Sequence, residues 1–244
     1  MTSKCILSGP GHPHVNMALD EALLEAHRPG ERTLRLYGWD PHALSLGYFQ
    51  KAAEARETLA SHPGLVLTRR PTGGGAIVHA DELTYALVAD APAGAGASRD
   101  LYARMNRAIV EALRGMGVDA GERGGEPGAR GSAFLCFERH ADFDVTVGGG
   151  KIAGSAQRRK GAAVLQHGSI LLKTPAPGGG GLTSVETLTG RAPAFEEASR
   201  LLADAARRAF DAPFPEGALP EAVRAEAKRL VETRYGTKGW IEKR

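Results

Sequence analysis

Four strand-like runs crowd into residues 133–172, at 133–137, 142–147, 151–156 and 163–172. The gaps between them are a few residues long. Parallel neighbours need a crossover of about a dozen residues or more, so these runs pair in sequence order only as antiparallel neighbours. Gly148-Gly149-Gly150 between the second and third run is a hairpin turn. Upstream, strand-like runs recur at Leu34 to Tyr37, Ala43 to Phe49, Leu65 to Arg70, Ile77-Val78 and Leu83 to Val88. Helical spacing separates these clusters. Asn16 is placed to cap a helix carrying Met17, Leu19, Leu23 and Leu24, 52–61 reads as a short helix, and Leu101, Met105, Ile109 and Leu113 share one helical face. Hairpin clusters alternating with helices predict an α+β fold with a mixed or antiparallel sheet, and argue against a parallel doubly wound one.

The chain has 244 residues, 42% hydrophobic and 24% charged, which suits one catalytic-size domain spanning 1–244. Within it a core of about 15–175 is followed by a helical extension of about 190–236, with helices expected near 194–211 and 219–234. With 31 Lys+Arg against 28 Asp+Glu the net charge is +3, not the balance of a dedicated nucleic-acid binder. No apolar run reaches the length of a membrane span, and the opening MTSKCILSGPGHPH has no apolar signal core. A cytoplasmic protein is expected, with neither nucleic acid nor membrane as partner. Two cysteines make no disulfide framework. Cys5 is expected in a mobile N-terminus and Cys136 as a thiol not held in a disulfide. His12 and His14 lack further ligands at metal-site spacing, so no metal is assigned.

Three polar segments interrupt the strands. In Arg69-Arg70-Pro71-Thr72-Gly73-Gly74-Gly75, glycines after a strand let backbone N–H groups approach a ligand, with two arginines and His79 nearby. An ordinary glycine turn explains the glycines equally well. Lys151 heads a strand whose small residues Ala153, Gly154, Ser155 and Ala156, followed by Gln157, leave room beside the backbone. Ile152 after Gly150-Lys151 excludes a Walker A loop. Gln166-His167-Gly168-Ser169 places polar groups in an apolar strand, where they need partners. Taken alone, His167 is more readily a satisfied core histidine than a ligand. Cys136, flanked by Leu135 and Phe137, reads alone as a small buried hydrophobe. The lysine 15 residues on raises it, because a nearby ammonium favours thiolate.

Together these segments resemble the lipoate–protein ligase and octanoyltransferase family, which shares its fold with biotin–protein ligases. The pieces, in the family's order over about 15–175, are Asn16 to Asp20, Ser45-Leu46-Gly47 with Gln50, Arg69 to His79, Glu82 to Tyr85, Lys151 to Arg158, and Gln166 to Ser169. Cys136-Phe137-Glu138 upstream of Lys151 resembles the Gram-positive-type octanoyl-[acyl carrier protein]:protein octanoyltransferases. The resemblance implies Cys136 as the nucleophile that carries the acyl group and Lys151 as its partner. It implies acyl-chain and pantetheine contacts from Arg70, Thr72, Gly73, Gly74, Gly75, His79, Gly154, Ser155, Gln157, His167 and Gly168. It further implies acyl carrier protein as donor, lipoyl-domain proteins as acceptors (the glycine cleavage H protein or a 2-oxoacid dehydrogenase E2), and no cofactor. Arg158-Arg159-Lys160 with Arg69-Arg70 are placed to meet an acidic carrier. Gly75 stands where the transferases often have arginine, and the all-glycine loop is also the form that the ATP-using ligases carry. A ligase forming an acyl-adenylate with ATP and Mg, and an octanoyl amidotransferase between lipoyl domains, therefore remain alternatives.

Overall fold

The computed structural model describes residues 2–91, 97–120, 144–175 and 181–244. Its elements run β1 (Thr2–Gly11), α1 (Pro13–Glu25), β2 (Glu31–Trp39), β3 (Ala43–Leu46), α2 (Arg56–Ser61), β4 (Val66–Arg69), β5 (Ile77–His79), β6 (Glu82–Asp90), α3 (Ala97–Gly115), β7 (Val145–Val147), β8 (Gly150–Lys160), β9 (Ala163–Leu171), α4 (Val185–Thr189), α5 (Phe195–Phe210), α6 (Glu221–Leu230) and α7 (Lys238–Ile241). A six-stranded sheet is ordered β1-β2-β6-β9-β8-β7, and a three-stranded sheet β4-β3-β5. The large sheet is antiparallel except for β1 on β2, and β3 pairs parallel with β4 and antiparallel with β5. This is the mixed-sheet α+β architecture that the hairpin spacing predicts. The strand expected at 133–137 lies outside the described residues.

The large sheet is covered on both faces, which explains why its central strands read as nearly continuous apolar runs. On one face Leu34 and Leu36 of β2 and Leu83, Tyr85 and Leu87 of β6 pack with Met105 and Ile109 of α3 and Leu202 of α5. On the other, Tyr37, Ala86 and Val88 pack with Met17 and Leu23 of α1 and Val223 and Leu230 of α6. The C-terminal helices thus close both faces. Leu44, Leu46, Ala76 and Val78 form a separate small core inside the three-stranded sheet. No helix of the described residues is long and apolar enough to cross a membrane.

Two local expectations give way to tertiary context. The N-terminus is not a mobile tail: β1 pairs with β2, and the 215–217 segment covers its outer edge. Cys5 N–H donates to Pro215 O, and Gly217 N–H donates to Cys5 O. Asn16 does not cap α1. The helix starts three residues earlier at Pro13 with His12 as cap, and Asn16 is buried inside it. Its amide donates to Gly11 O and Gly38 O. β3 also stops at Leu46, short of Phe49. A Cβ on Gly47 would lie 2.0 Å from Gly74 O, so the chain turns there against the glycine loop.

Candidate functional site

The cross-strand register of β6, β9 and β8 builds the floor of a cavity. Thr84 pairs with Ser169 and Ser169 with Gly154; one pleat on, Ala86 pairs with His167 and His167 with Ala156. Side chains two residues apart in a strand share a face, so both rows point the same way. Met17 of α1, Tyr37 and Trp39 of β2, and the 70–75 loop with His79 form the walls of this cavity of about 170 Å³.

Lys151 heads β8 and is buried. Its Nζ lies 2.8 Å from Asp144 Oδ2, and both residues line the cavity. A Cβ on Gly154 would come within 2.8 Å of Lys151 Cε and 3.2 Å of Asp144 Oδ1. The missing side chain at Gly154 is what leaves space for the pair. An ammonium fixed in an apolar cavity can stabilise a thiolate or oxyanion and supply a proton to a leaving group.

Two histidines are fixed by carboxylates. Burial pushes His79 below the ordinary histidine range, against the opposing pull of Glu82. The neutral ring donates from Nδ1 to Glu82 Oε1 at 2.7 Å and accepts at Nε2 from Ser45 Oγ at 2.7 Å, stacked on Trp39 at 3.8 Å. Glu82 Oε1 also accepts from the Thr84 and Ser169 hydroxyls. His167 bridges Asp20 Oδ2, 3.1 Å from Nδ1, and Thr72 Oγ1, 2.6 Å from Nε2. Asp20 in turn accepts from Arg35 Nη1 and the Tyr37 hydroxyl. His167 is therefore both the satisfied histidine of the plain reading and a wall of the cavity.

The arginines of the loop do not face a partner protein. Arg70 is buried and donates to the carbonyls of Ser45, Gly73 and Gly75, lacing the glycine loop into shape from within. Arg69 is fully buried and donates to the carbonyls of Gly47, Gln50 and Ile241. A carbonyl-bonded, buried guanidinium cannot meet a carrier surface, which corrects the sequence expectation for this pair.

Of the residues singled out in the sequence, Arg70, Gly73, Gly74, Gly75, His79, Lys151, Gly154, Ser155, His167 and Gly168 all line the cavity. Thr72 and Gln157 line an adjoining hollow instead. Gln157 donates to Gln166, which donates to the Tyr85 hydroxyl, itself 2.6 Å from Ser155 Oγ. Cys136 lies outside the described residues. The sequence reading missed Asp144, Arg35, Tyr37 and Trp39 and gave Asp20 no role. Two signals were present: Asp20 falls within the apolar stripe of α1, and Arg35 is a charge between Leu34 and Leu36 in a buried strand.

Residues 12–190 match the lipoyl protein ligase A/B catalytic domain. The chain belongs to that family. It is 43% identical over 178 residues to octanoyltransferase LipM of Moorella thermoacetica, covering 70% of this chain and 65% of the relative. The chain thus spans just under two thirds of that relative. It is 35% identical over 254 residues to octanoyltransferase LipM of Symbiobacterium thermophilum, covering 92% of each. Among solved structures it superposes on protein Ta0514 of T. acidophilum with bound lipoic acid at 26% identity and TM-score 0.84, with all of both chains covered. It superposes on lipoate-protein ligase A bound with ATP at 26% identity and TM-score 0.82, covering 99% of each.

Within this lipoyl-ligase fold the glycine loop is testable. Gly74 has φ +96°, in the left-handed region that a branched side chain resists. Gly74→Val should lower stability by about 1–3 kcal/mol, the scale of one strained backbone position, while any acyl transfer carried by this cavity should fall about a hundredfold or more. Urea unfolding and transfer rate, measured side by side, check this. A stability loss that accounts for the whole activity loss would make the loop merely structural.

Proposed function

We propose that this chain transfers an octanoyl group from the thioester of an acyl carrier protein, through an acyl-enzyme on Cys136, to the target lysine of a lipoyl domain. The observation that carries the reading is the 35–43% identity to proteins named octanoyltransferase LipM. The acceptor is the glycine cleavage H protein or a 2-oxoacid dehydrogenase E2, and the reaction takes place in the cytoplasm. No ATP and no cofactor take part, because a thioester is already activated.

The steps balance without a co-reactant. Cys136 thiolate attacks the thioester carbonyl, the new carbon–sulfur bond forms, and the pantetheine sulfur leaves with a proton from the Lys151 ammonium. Backbone N–H groups of the glycine loop supply the donors for the oxyanion in this reading. The acceptor amine then attacks the acyl-cysteine, Cys136 leaves as thiolate, and the neutral Lys151 amine takes the excess proton from the nascent amide. Cys136 thiolate and Lys151 ammonium are both restored. Splitting the transfer lets each half use one activated group, and Asp144 keeps the Lys151 head in place through both halves.

The superposition on an ATP-bound ligase, together with Gly75, supports a second reading, in which the same cavity holds an acyl-adenylate. Intact-mass measurement after incubation with octanoyl-carrier protein, without ATP, separates the two. The expected result is a gain of one octanoyl group that disappears when apo lipoyl domain is added. Acylation of the lipoyl domain that requires ATP, with no acyl-enzyme, would establish the ligase.

A further inference from the structure

A hollow of about 220 Å³ adjoins the acyl cavity, and Gly73 lines both. On its rim Phe49 is 68% exposed, a large aromatic ring in water beside the mouth of the site. Around it cations gather on aromatic faces. Lys243 Nζ lies 3.2 Å from the Tyr48 ring centroid and 3.8 Å from that of Trp240. The Arg244 guanidinium lies 5.3 Å from the Phe49 ring and that of Arg158 lies 5.7 Å from the Tyr48 ring. The buried Arg69 adds its charge from below.

Among the described residues, Arg69, Lys243 and Arg244 have no carboxylate within ion-pair distance. Glu21 is taken by Arg234 at 2.6 Å and the Tyr235 hydroxyl at 2.7 Å, and lies 3.9 Å from Arg158. Burial, then Arg69 and Arg244, with smaller contributions from Arg158 and Arg234, push the Lys243 ammonium down to about 8. Cations held this close together raise each other's energy, and an incoming carboxylate cluster would relieve all of them at once. In a chain of net charge +3, such a local concentration marks a surface rather than a general basicity.

We infer that the surface formed by Tyr48, Phe49, Arg158, Lys243 and Arg244 is where the acidic carrier protein that brings the acyl thioester docks. The inference rests on the carrier-dependent transfer proposed above. Shared Gly73 means that a protein seated here presents a flexible thioester arm at the cavity mouth. The exposed Phe49 ring supplies the apolar centre that a docking patch needs, and the cations form its rim. Charge complementarity of this kind acts mainly on encounter and is screened by salt.

The test compares donors. In Lys243→Glu/Arg244→Glu, and separately in Phe49→Ser, KM for octanoyl-carrier protein should rise about tenfold with kcat within about twofold. Kinetics with octanoyl-pantetheine, which has neither phosphate nor protein, should be unchanged, as should KM for the lipoyl-domain acceptor. Octanoyl-phosphopantetheine should behave like octanoyl-pantetheine. Raising salt should raise the wild-type KM for the carrier donor and leave the charge-reversed variant nearly flat. An unmoved carrier KM overturns the inference, as does an equal loss with octanoyl-pantetheine, which would mean local damage. A shift confined to octanoyl-phosphopantetheine and carrier alike would assign the patch to the phosphate, and a shift in acceptor KM would assign it to the lipoyl domain. Either would overturn carrier docking. Absence of transfer from every thioester in wild type would instead sink the transferase reading, and carrier binding to wild type and variant by titration would still decide the docking.

Discussion

Cys136→Ala is expected to abolish both acyl-enzyme formation and transfer, a loss of about a thousandfold or more, because without the thiol no covalent route remains. Cys5→Ala should leave the rate unchanged. Cys5 is a core residue at 2% exposure, and burial pushes its thiol up to about 11, against the lowering influence of Arg207. At neutral pH it is protonated and shielded, so its sulfur is neither nucleophile nor alkylation target. Its loss costs packing instead, on the order of 1 kcal/mol for one atom removed from the core. This differs from the harmless substitution that a mobile N-terminus implies, and the reason is the pairing of β1 with β2. Intact mass after octanoyl-carrier treatment, iodoacetamide labelling at neutral pH and urea unfolding check the three parts. Full ATP-dependent lipoyl-domain acylation by Cys136→Ala would remove the cysteine from the mechanism.

What the sequence made legible is whatever local chemistry decides. The glycines at 148–150 permit the β7–β8 turn locally, with Gly148 at φ +59° and Gly149 at φ +81°, and the small residues after Lys151 mark a strand with something passing over it. That something is the Lys151 side chain itself, crossing Gly154. What stayed hidden depends on elements distant in sequence. Arg69 looks like a surface cation until α7, 172 residues on, brings Ile241 O to its Nε. Asn16 looks like a helix cap until Gly38 of β2 offers its carbonyl. Asp144 carries no motif around it, and its meaning appears only when Lys151 folds back beside it. His167 shows why a residue's type does not decide its role. Its carboxylate partner, Asp20, is 147 residues away, and the same contact satisfies the ring and fixes it in the cavity wall.

The Lys151–Asp144 pair separates what holds the site together from what does the chemistry. Side-chain exposures of 1% and 4% place it out of water, where removing one charge leaves the other buried without its counter-ion. Lys151→Met and Asp144→Leu should each cost about 3–5 kcal/mol. The double variant Lys151→Met/Asp144→Leu removes both charges and keeps similar volumes. It should recover to within about 1–2 kcal/mol of wild type, because no buried charge is then left behind. Transfer should stay lost in the double variant, since a folded cavity without the ammonium can neither favour the Cys136 thiolate nor return a proton to the leaving sulfur. Iodoacetamide labelling of Cys136 at neutral pH should slow in Lys151→Met and stay slow in the double variant. Urea unfolding, transfer rate and labelling rate are the three readouts. Single-variant costs below about 1 kcal/mol would mean that water reaches the pair. Additive losses in the double variant would mean that the two residues stabilise the fold independently. Labelling curves that superimpose for wild type and Lys151→Met would separate Lys151 from Cys136, and the proton-transfer role assigned to it would fall.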